Sequence, residues 1–462
     1  MIQPYERSAQ ELIAAYRNGE LTPSSALDSI LARIDHCEPR INAYCYRDDE
    51  TARQTAEEST KRWQAGRPLG GLDGVPVSVK DLIDVAGMPT RSGSRATTAD
   101  AVAKDSPCLA GLRRSGAVIL GKTTTPEFGH KGVTDSLLSG VTRNPWDTDM
   151  TPGGSSGGAG AALAAGMGPL AIGTDGGGSC RKPANYCGVV GMKPSFGRVP
   201  LASTGGSWPL SSPGPMARTV ADAALLLQAI SEPSHRDPFV LPEFQAGVAM
   251  ASDIKGVRIA HCLELAGANA RPEIATGVGA SVAVFRELGA EVEAEKPDIP
   301  DSMPFYRTLF DSGSALNASQ WSETQLGLAD PTFRESVERG RALSAVELRR
   351  ALQHRGELAA AMARFLDHYD LLVLPSNPTT AYKLGQREPT KTPRDMWSAT
   401  VCFTSPFNIT GQPAITVPCG HTEAGLPFGL QIVGRYGEDE LVLRAAAAFE
   451  ATTGLANQLA PL

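Results

Sequence analysis

The sequence predicts an α/β fold, in which buried strands alternate with helices. Two short apolar runs, residues 75–83 and 371–375, are typical of buried strands, and the first is bounded by Gly and Pro turns. Between residues 75 and 230 strand-like and helix-like segments alternate. The pattern continues through Ile259 and a helix-like segment at 272–288, so we expect a sheet that collects strands from much of the chain.

Helical patterns dominate the rest of the chain. Residues 8–36 carry helical periodicity, and the Thr-Pro-Ser at 22–24 is a helix-start signal, so we expect an N-terminal helical hairpin packed on the body. Residues 300–368 are predicted to be mostly helical, with a long amphipathic helix over 345–367, and a terminal helix is predicted over 438–452. The segment rich in Pro, Thr and Lys at 376–397 is predicted to be a loop bordering a pocket.

Composition excludes several classes of function. The 462 residues include 43 basic and 50 acidic side chains, and the net charge of -7 argues against a nucleic-acid-binding surface. The polar N-terminus does not resemble a signal peptide, and no apolar run approaches the roughly 18 residues of a membrane span. Eight scattered cysteines lack the spacing of a zinc site or a disulfide scaffold. We therefore expect a cytoplasmic enzyme with reduced thiols, no bound metal and no cofactor.

The most informative segment is 151–183, which holds two serines among glycines, Ser155 and Ser179. An apolar, Ala-rich run at 159–171 separates them, so the segment is ordered structure and not a flexible linker. Glycines around a serine let backbone N–H groups converge on an anion. A phosphate site is weakly supported, because no Lys follows the first glycine run as a P-loop requires and the third position of a dinucleotide fingerprint fails.

An oxyanion site fits this segment better, because Ser179 follows three glycines whose N–H groups are unhindered. A serine nucleophile needs a base, and among seven histidines only His130 lies near the glycine region in sequence. Lys80 lies on the predicted buried strand at 75–83, where burial would lower its pKa and make it a base. The alternative is that Lys80 only pairs with Asp81 or Asp84.

Several motifs resemble the amidase signature family in order and spacing. They are VPVSVKD at 75–81, PGGSSGG at 152–158, GTDGGGSCR at 173–181 with Pro183, YCGVVGMKPSFGRV at 186–199, GPMARTVAD at 214–222, NITGQPA at 408–414 and GLPFGLQ at 425–431. The resemblance covers residues 8–232 and roughly 365–455. It implies a large, mixed, twisted β-sheet covered by helices on both faces. It also implies a single domain over 1–462, with N-terminal helices at 1–65, a core at 66–232, a variable segment at 233–370 and a C-terminal part at 371–462.

The resemblance implies a Ser-Ser-Lys catalytic triad. Ser179 would be the nucleophile, Ser155 the bridging serine held by a cis peptide bond, and Lys80 the base. The N–H groups of an oxyanion hole, the residues that support the triad and the residues that line the substrate pocket are implied in the same way; they are Gly176, Gly177, Gly178 and Ser179 for the hole, Ser156, Asp175 and Arg181 for support, and Phe128, Gly129 and Trp208 for the pocket.

Two residues depart from the family pattern. Cys180 follows the nucleophile where a hydrophobic residue is usual, and we expect it to be a buried packing residue. Gly176 stands where the family often has a larger side chain, so the space beside the oxyanion hole should be less restricted. Trp208 has an alternative role as a core aromatic residue.

The resemblance implies hydrolysis of a small or aryl amide through an acyl-serine, and the same chemistry would serve esters or carbamates. The expected partner is a small-molecule amide, and the protein itself would be a monomer or homodimer. One alternative is the glutaminase component of a tRNA-dependent amidotransferase, although its usual Ser-Ser-Gly-Tyr-Tyr-like segment is not recognisable between 300 and 368. A non-catalytic binding protein on the same scaffold is disfavoured, because Lys80, Ser155 and Ser179 are all retained.

Overall fold

The computed structural model describes residues 2–201, 208–234, 237, 239–249, 253–386 and 401–462. Within these ranges the strands are β1 Tyr44–Arg47, β2 Pro76–Lys80, β3 Val118–Thr123, β4 Asp135–Ser136, β5 Gly140–Val141, β6 Leu170–Asp175, β7 Val190–Lys193, β8 Ser212–Ala217, β9 Arg258–His261, β10 Glu264–Leu265, β11 Ala268–Asn269, β12 Glu291–Ala294, β13 Leu371–Pro375, β14 Ala414–His421 and β15 Pro427–Gly434. Short 3-10 helices lie at Pro4–Glu6, Pro107–Leu109 and Glu127–Gly129.

Helices connect these strands. They are α1 Ala9–Arg17, α2 Pro23–Ile41, α3 Asp49–Gln64, α4 Ala110–Arg114, α5 Gly157–Ala164, α6 Arg181–Cys187, α7 Val220–Ile230, α8 Ala246–Ala249, α9 Pro272–Glu287, α10 Met303–Asn317, α11 Glu323–Gly327, α12 Pro331–Ala342, α13 Ala345–Leu366, α14 Ser405–Thr410 and α15 Asp439–Thr453. In the described part of the chain, no helix has the length and apolar character needed to cross a membrane.

Eleven strands form one mixed sheet in the order β1-β3-β2-β6-β8-β7-β14-β15-β13-β9-β12. The pairs β2–β3 and β2–β6 are parallel, whereas the central strands from β6 to β13 pair antiparallel. All four predicted parts of the chain contribute strands to this sheet. The α/β class and the large mixed sheet are confirmed.

Both faces of the sheet are covered by helices. On β13, Leu371 and Val373 pack in a core with residues of α7, α9 and α15, whereas the alternate residues Leu372 and Leu374 pack in a second core with residues of α10 and α13. Alternate side chains of a strand point to opposite faces, so a strand that is apolar throughout requires cover on both sides. The continuous apolar run at 371–375 has this physical cause.

The predicted helices form close to their expected bounds. Ser8 and Thr22 cap α1 and α2 by accepting hydrogen bonds from the N–H groups of Glu11 and Ser25, which supports the predicted N-terminal helical hairpin. The long amphipathic helix is α13, and the terminal helix is α15. Of the predicted loop at 376–397, residues 376–386 contain no helix or strand, and the remainder lies outside the described residues.

Candidate active site

Parallel pairing of β2 and β6 creates the candidate site. Val79 of β2 pairs with Ile172 of β6, so the carboxyl ends of the two strands lie side by side. Lys80 is the last residue of β2, and Thr174 is near the end of β6. Ligands in sheets of this kind bind beyond the carboxyl ends of the strands, where the following loops converge. Ser155 and Ser179 lie on two such loops, immediately before α5 and α6.

Lys80 is fully buried and directed at hydroxyl groups. Its Nζ lies 2.7 Å from Ser155 Oγ and 2.8 Å from Thr174 Oγ1. Burial lowers the pKa of Lys80 to about 7, and the negative charge of Asp175 offsets part of this effect. The alternative that Lys80 merely pairs with Asp81 is not supported, because Asp81 lies 3.6 Å from Lys122 instead.

The loop that carries Ser155 is tied to the loop that carries Ser179. The Gly154–Ser155 peptide bond is cis, as the resemblance implied. The N–H of Ser156 donates to the carbonyl oxygen of Ser179 at 3.1 Å, and Ser156 Oγ bonds to the backbone of Thr174. The predicted supporting position of Ser156 therefore agrees with these contacts.

The glycines of α5 allow this close approach. A Cβ at Gly158 would lie 2.4 Å from Thr124 Oγ1 and 2.6 Å from the carbonyl oxygen of Ala43. No side chain fits there without displacing backbone. The glycine density around Ser155 thus reflects tight packing of α5 as well as the exposure of N–H groups.

Ser155 and Ser179 line the same cavity, which has a volume of about 460 Å³. Ser155 is buried, whereas Ser179 is partly exposed to the cavity. Within the described ranges the two hydroxyl groups are not hydrogen-bonded to each other. In active sites without substrate, catalytic hydrogen bonds are commonly long and tighten on substrate binding.

The backbone of the Gly176–Ser179 turn is fixed from outside the cavity. The carbonyl oxygen of Gly176 accepts from Tyr306 Oη at 3.0 Å, and that of Gly177 accepts from Thr404 Oγ1 at 2.7 Å. Among the described residues, the N–H groups of Gly176, Gly177 and Ser179 make no hydrogen bond within the chain. Three donors beside the Ser179 hydroxyl are thus available to a ligand in the cavity.

One predicted oxyanion donor was wrong. The N–H of Gly178 donates to Asp175 Oδ1 at 2.7 Å, so this donor is used inside the protein. Because Asp175 is a buried carboxylate, this charge-assisted bond is strong and stabilises the turn instead of a substrate oxyanion. Sequence spacing treats the glycine N–H groups alike and does not reveal the difference.

Sequence reasoning missed Tyr306 and Thr404 as partners of the turn. Tyr306 comes from α10, in the segment where the resemblance is loose, and Thr404 comes from the residue before α14. A Cβ at Gly177 would lie 1.9 Å from Tyr306 Oη, so Gly177 is required for this packing. At Gly176 the nearest contact would be 3.5 Å, which leaves the space that a larger residue occupies in other members of the family.

Asp175 and Arg181 form the buried ion pair that was predicted to support the nucleophile. Arg181 Nη2 lies 2.9 Å from Asp175 Oδ1, and both side chains are inaccessible to solvent. Burial would raise the pKa of Asp175, but its bonds to Arg181, Asn408 and the N–H of Gly178 hold the pKa well below the usual range. Arg181 also donates to Gln431 Oε1 and to the carbonyl oxygen of Thr404.

We expect Asp175→Asn to destabilise the fold by about 3–5 kcal/mol, because the buried guanidinium loses its counter-charge. The measurement is the free energy of unfolding from a urea titration. Asp28→Asn is the matched control, since Asp28 lies 3.8 Å from Arg53 in an exposed pair that we expect to contribute less than about 1 kcal/mol. Equal stabilities of the two variants would contradict a supporting role for Asp175.

Aromatic residues form much of the cavity wall. Phe128, Gly129, Tyr306 and Phe310 all line the cavity, so two of the three predicted pocket residues lie there. The ring of Phe128 stacks on Phe333 at a centroid distance of 5.1 Å. This wall suits a flat apolar group.

The prediction that Trp208 lines the substrate channel is not supported. Trp208 is not among the described residues that line the cavity, and its indole is 41% exposed. The ring packs against Phe239 at a centroid distance of 6.2 Å, on the outside of the protein. The residues immediately before it, 202–207, lie outside the described ranges.

Cys180 and His130 are not suited to the role of nucleophile or base. Cys180 is fully buried against Ala184 and Met216, and burial raises the pKa of its thiol well above the usual value. His130 lines the cavity, but burial lowers its pKa to about 4, and its Nε2 bonds to Thr332 Oγ1 at 2.5 Å. Cys180 is the packing residue that the sequence suggested.

Comparison with known proteins agrees with this geometry. The amidase family model matches residues 25–443. An acylamidase of Rhodococcus erythropolis is 37% identical, covering 98% of this chain and 96% of that protein. The amidase-like component of the glutamyl-tRNA(Gln) amidotransferase of Chloroflexus aggregans is 35% identical, covering 94% of both chains.

Two solved structures share the fold over nearly their whole length. A bacterial aryl acylamidase of the amidase signature family superposes with a TM-score of 0.90 at 28% identity, covering 97% of this chain and 96% of that one. A 6-aminohexanoate cyclic dimer hydrolase superposes with a TM-score of 0.91 at 27% identity, covering 100% and 99%. The chain therefore belongs to the amidase signature family and is a hydrolase that acts on amide C–N bonds.

Proposed function

We propose that this amidase cleaves aryl or small amides through an acyl-enzyme on Ser179, with Ser155 as proton relay and Lys80 as base. The observation that carries the proposal is the 2.7 Å contact between Lys80 Nζ and Ser155 Oγ at the wall of the cavity that Ser179 also lines. A lysine whose pKa is lowered to about 7 is substantially neutral at physiological pH and can accept a proton.

Acylation begins when Ser179 Oγ attacks the carbonyl carbon of the amide. The proton of Ser179 passes to Ser155, and the proton of Ser155 passes to the lone pair of Lys80 Nζ. The N–H groups of Gly176, Gly177 and Ser179 stabilise the oxyanion, each contributing on the order of 3 kcal/mol. The C–N bond then breaks, and Ser155 returns a proton from Lys80 to the leaving nitrogen.

Deacylation repeats these steps with water. Water gives its proton to Ser155 as its oxygen attacks the acyl carbon, and the ester bond to Ser179 breaks as Ser179 Oγ recovers a proton. An amide leaving group must be protonated before it departs, whereas a phenolate need not be. The same residues would therefore also cleave activated esters and carbamates.

The aromatic wall supports an aryl substrate. Phe128, Tyr306 and Phe310 line the cavity, and a cavity of about 460 Å³ has room for an anilide. The names of the Rhodococcus acylamidase and the bacterial aryl acylamidase point to the same substrate class. We propose that the enzyme acts as a monomer or homodimer without other protein components.

The test is a panel of substrates given to the purified protein: anilides, aliphatic amides, carbamates, p-nitrophenyl esters and glutamine. We expect anilides and p-nitrophenyl esters to be hydrolysed and glutamine to be a poor substrate. The competing function is that of a glutaminase within an amidotransferase complex, which the 35% identity to the Chloroflexus amidotransferase component favours. Hydrolysis of glutamine, and only when the other components of such a complex are added, would overturn the proposal.

A further inference from the structure

Lys182 is a buried lysine in the wall of the cavity that the proposed mechanism does not use. Its side chain is 1% exposed, and it lines the same cavity as Ser155 and Ser179. The backbone N–H of Lys182 donates to the carbonyl oxygen of Gly178 at 2.7 Å, which fixes the residue on the first turn of α6, three residues after Ser179.

The side chain of Lys182 lacks the partner that comparable lysines have. Four lysines are almost completely buried, and Nζ of each of the other three lies within 3.0 Å of an oxygen: Ser155 for Lys80, Thr90 for Lys122 and Pro194 for Lys193. Across the described ranges, Nζ of Lys182 makes no hydrogen bond. A buried ammonium group without a partner is costly, so its presence in a ligand cavity indicates that a ligand provides the partner.

Neighbouring charges do not compensate Lys182. The carboxylate of Asp175 is already bound by Arg181, and Lys131 is paired with Asp330 at 2.8 Å. Of the acidic residues that line the cavity, Asp105 bonds to Arg113, and Asp84 is exposed. The one buried charge in the cavity wall that remains open to a ligand, within the described residues, is that of Lys182.

We propose that Lys182 is an anion-binding subsite, and that the preferred amide carries a carboxylate or a comparable anionic group. This inference rests on the proposed amidase function. A carboxylate at Lys182 would form a charge-assisted hydrogen bond in a site from which water is largely excluded. Burial lowers the pKa of Lys182 to about 8, so most of the group is charged at neutral pH, and a bound anion favours that form further.

The experiment compares matched pairs of anilides that differ only in charge. Succinanilate is paired with butyranilide, which places the charge on the acyl side, and 4-acetamidobenzoate is paired with acetanilide, which places it on the leaving group. We expect the wild-type enzyme to have the higher kcat/KM for the anion in one of the two pairs. In Lys182→Met the ratio of kcat/KM between anion and neutral partner should fall roughly 10- to 100-fold, the range for one charged hydrogen bond.

A binding measurement separates this inference from the proposed function. Calorimetry on Ser179→Ala and on Ser179→Ala with Lys182→Met reports affinity for the same anilides without turnover, and the first variant should bind the preferred anion more tightly by a similar factor. Absence of anion preference in the wild type, or an equal loss for both members of each pair, would overturn the inference. If no amide is hydrolysed but the anion binds through Lys182, the proposed function fails and the subsite stands.

Discussion

Ser179→Ala is expected to lower kcat for a good anilide by about 10⁴-fold or more, because no other hydroxyl in the cavity can take its place as nucleophile. Ser155 is occupied by Lys80 at 2.7 Å, and the three free N–H donors cluster around Ser179. The fold should be retained, since Ser179 Oγ makes no hydrogen bond within the described chain. Steady-state kinetics with the purified variant measures the loss, and circular dichroism checks that the protein is folded.

The matched control for this prediction is Cys180→Ala, one residue further along the chain. Cys180 packs in the core, so its loss should affect stability by about 1 kcal/mol and leave turnover within a few-fold of the wild type. The opposite pattern, in which Ser179→Ala remains active and Cys180→Ala does not, would mean that a thiol is the nucleophile.

Lys80→Met is expected to lower kcat/KM by about 10³-fold, the size of a general-base contribution. The pH profile provides a more specific test. Lys80 acts in its neutral form, so below its pKa of about 7 the value of kcat/KM should fall as pH falls, by tenfold per pH unit, and above that pKa it should level off. Methionine has a similar length and does not titrate, so this limb should disappear in the variant.

Neutral anilides should be used for this profile, so that the ionisation of Lys182 does not affect binding. His130 provides the internal control, because its pKa of about 4 lies well below the expected limb. His130→Gln should therefore keep the limb near pH 7. An unchanged limb in Lys80→Met would contradict the assignment of Lys80 as the base.

Much of the fold follows from sequence patterns that have a direct physical cause. The continuous apolar run of β13 predicted a strand covered on both faces, and the capping residues Ser8 and Thr22 placed the starts of α1 and α2. Lys80 was different: its burial was predicted from its strand, but its direction was not. Whether it bonds to Ser155 or to Asp81 depends on which loop lies beyond the strand, and the resemblance to a family supplied that information.

Other features of the site depend on contacts between distant segments. Gly178 was expected to serve the substrate, but its N–H is bound to Asp175, and a short glycine run does not indicate which peptide unit turns inward. Tyr306 is about 130 residues from the turn that it holds, and no local pattern marks it. Trp208 was assigned to the pocket on its neighbourhood in sequence, whereas its ring packs on Phe239.

Covalent trapping with a fluorophosphonate most directly tests the claim that Lys80 activates Ser179 through Ser155. The reagent loses fluoride to an activated serine and leaves a stable phosphonyl ester, which peptide mass spectrometry locates. We predict one adduct, on Ser179, that forms with the same dependence on pH as kcat/KM and at least 100-fold more slowly in Lys80→Met, in line with the general-base contribution. An adduct on Ser155 or Cys180, or undiminished labelling in Lys80→Met, would contradict the account.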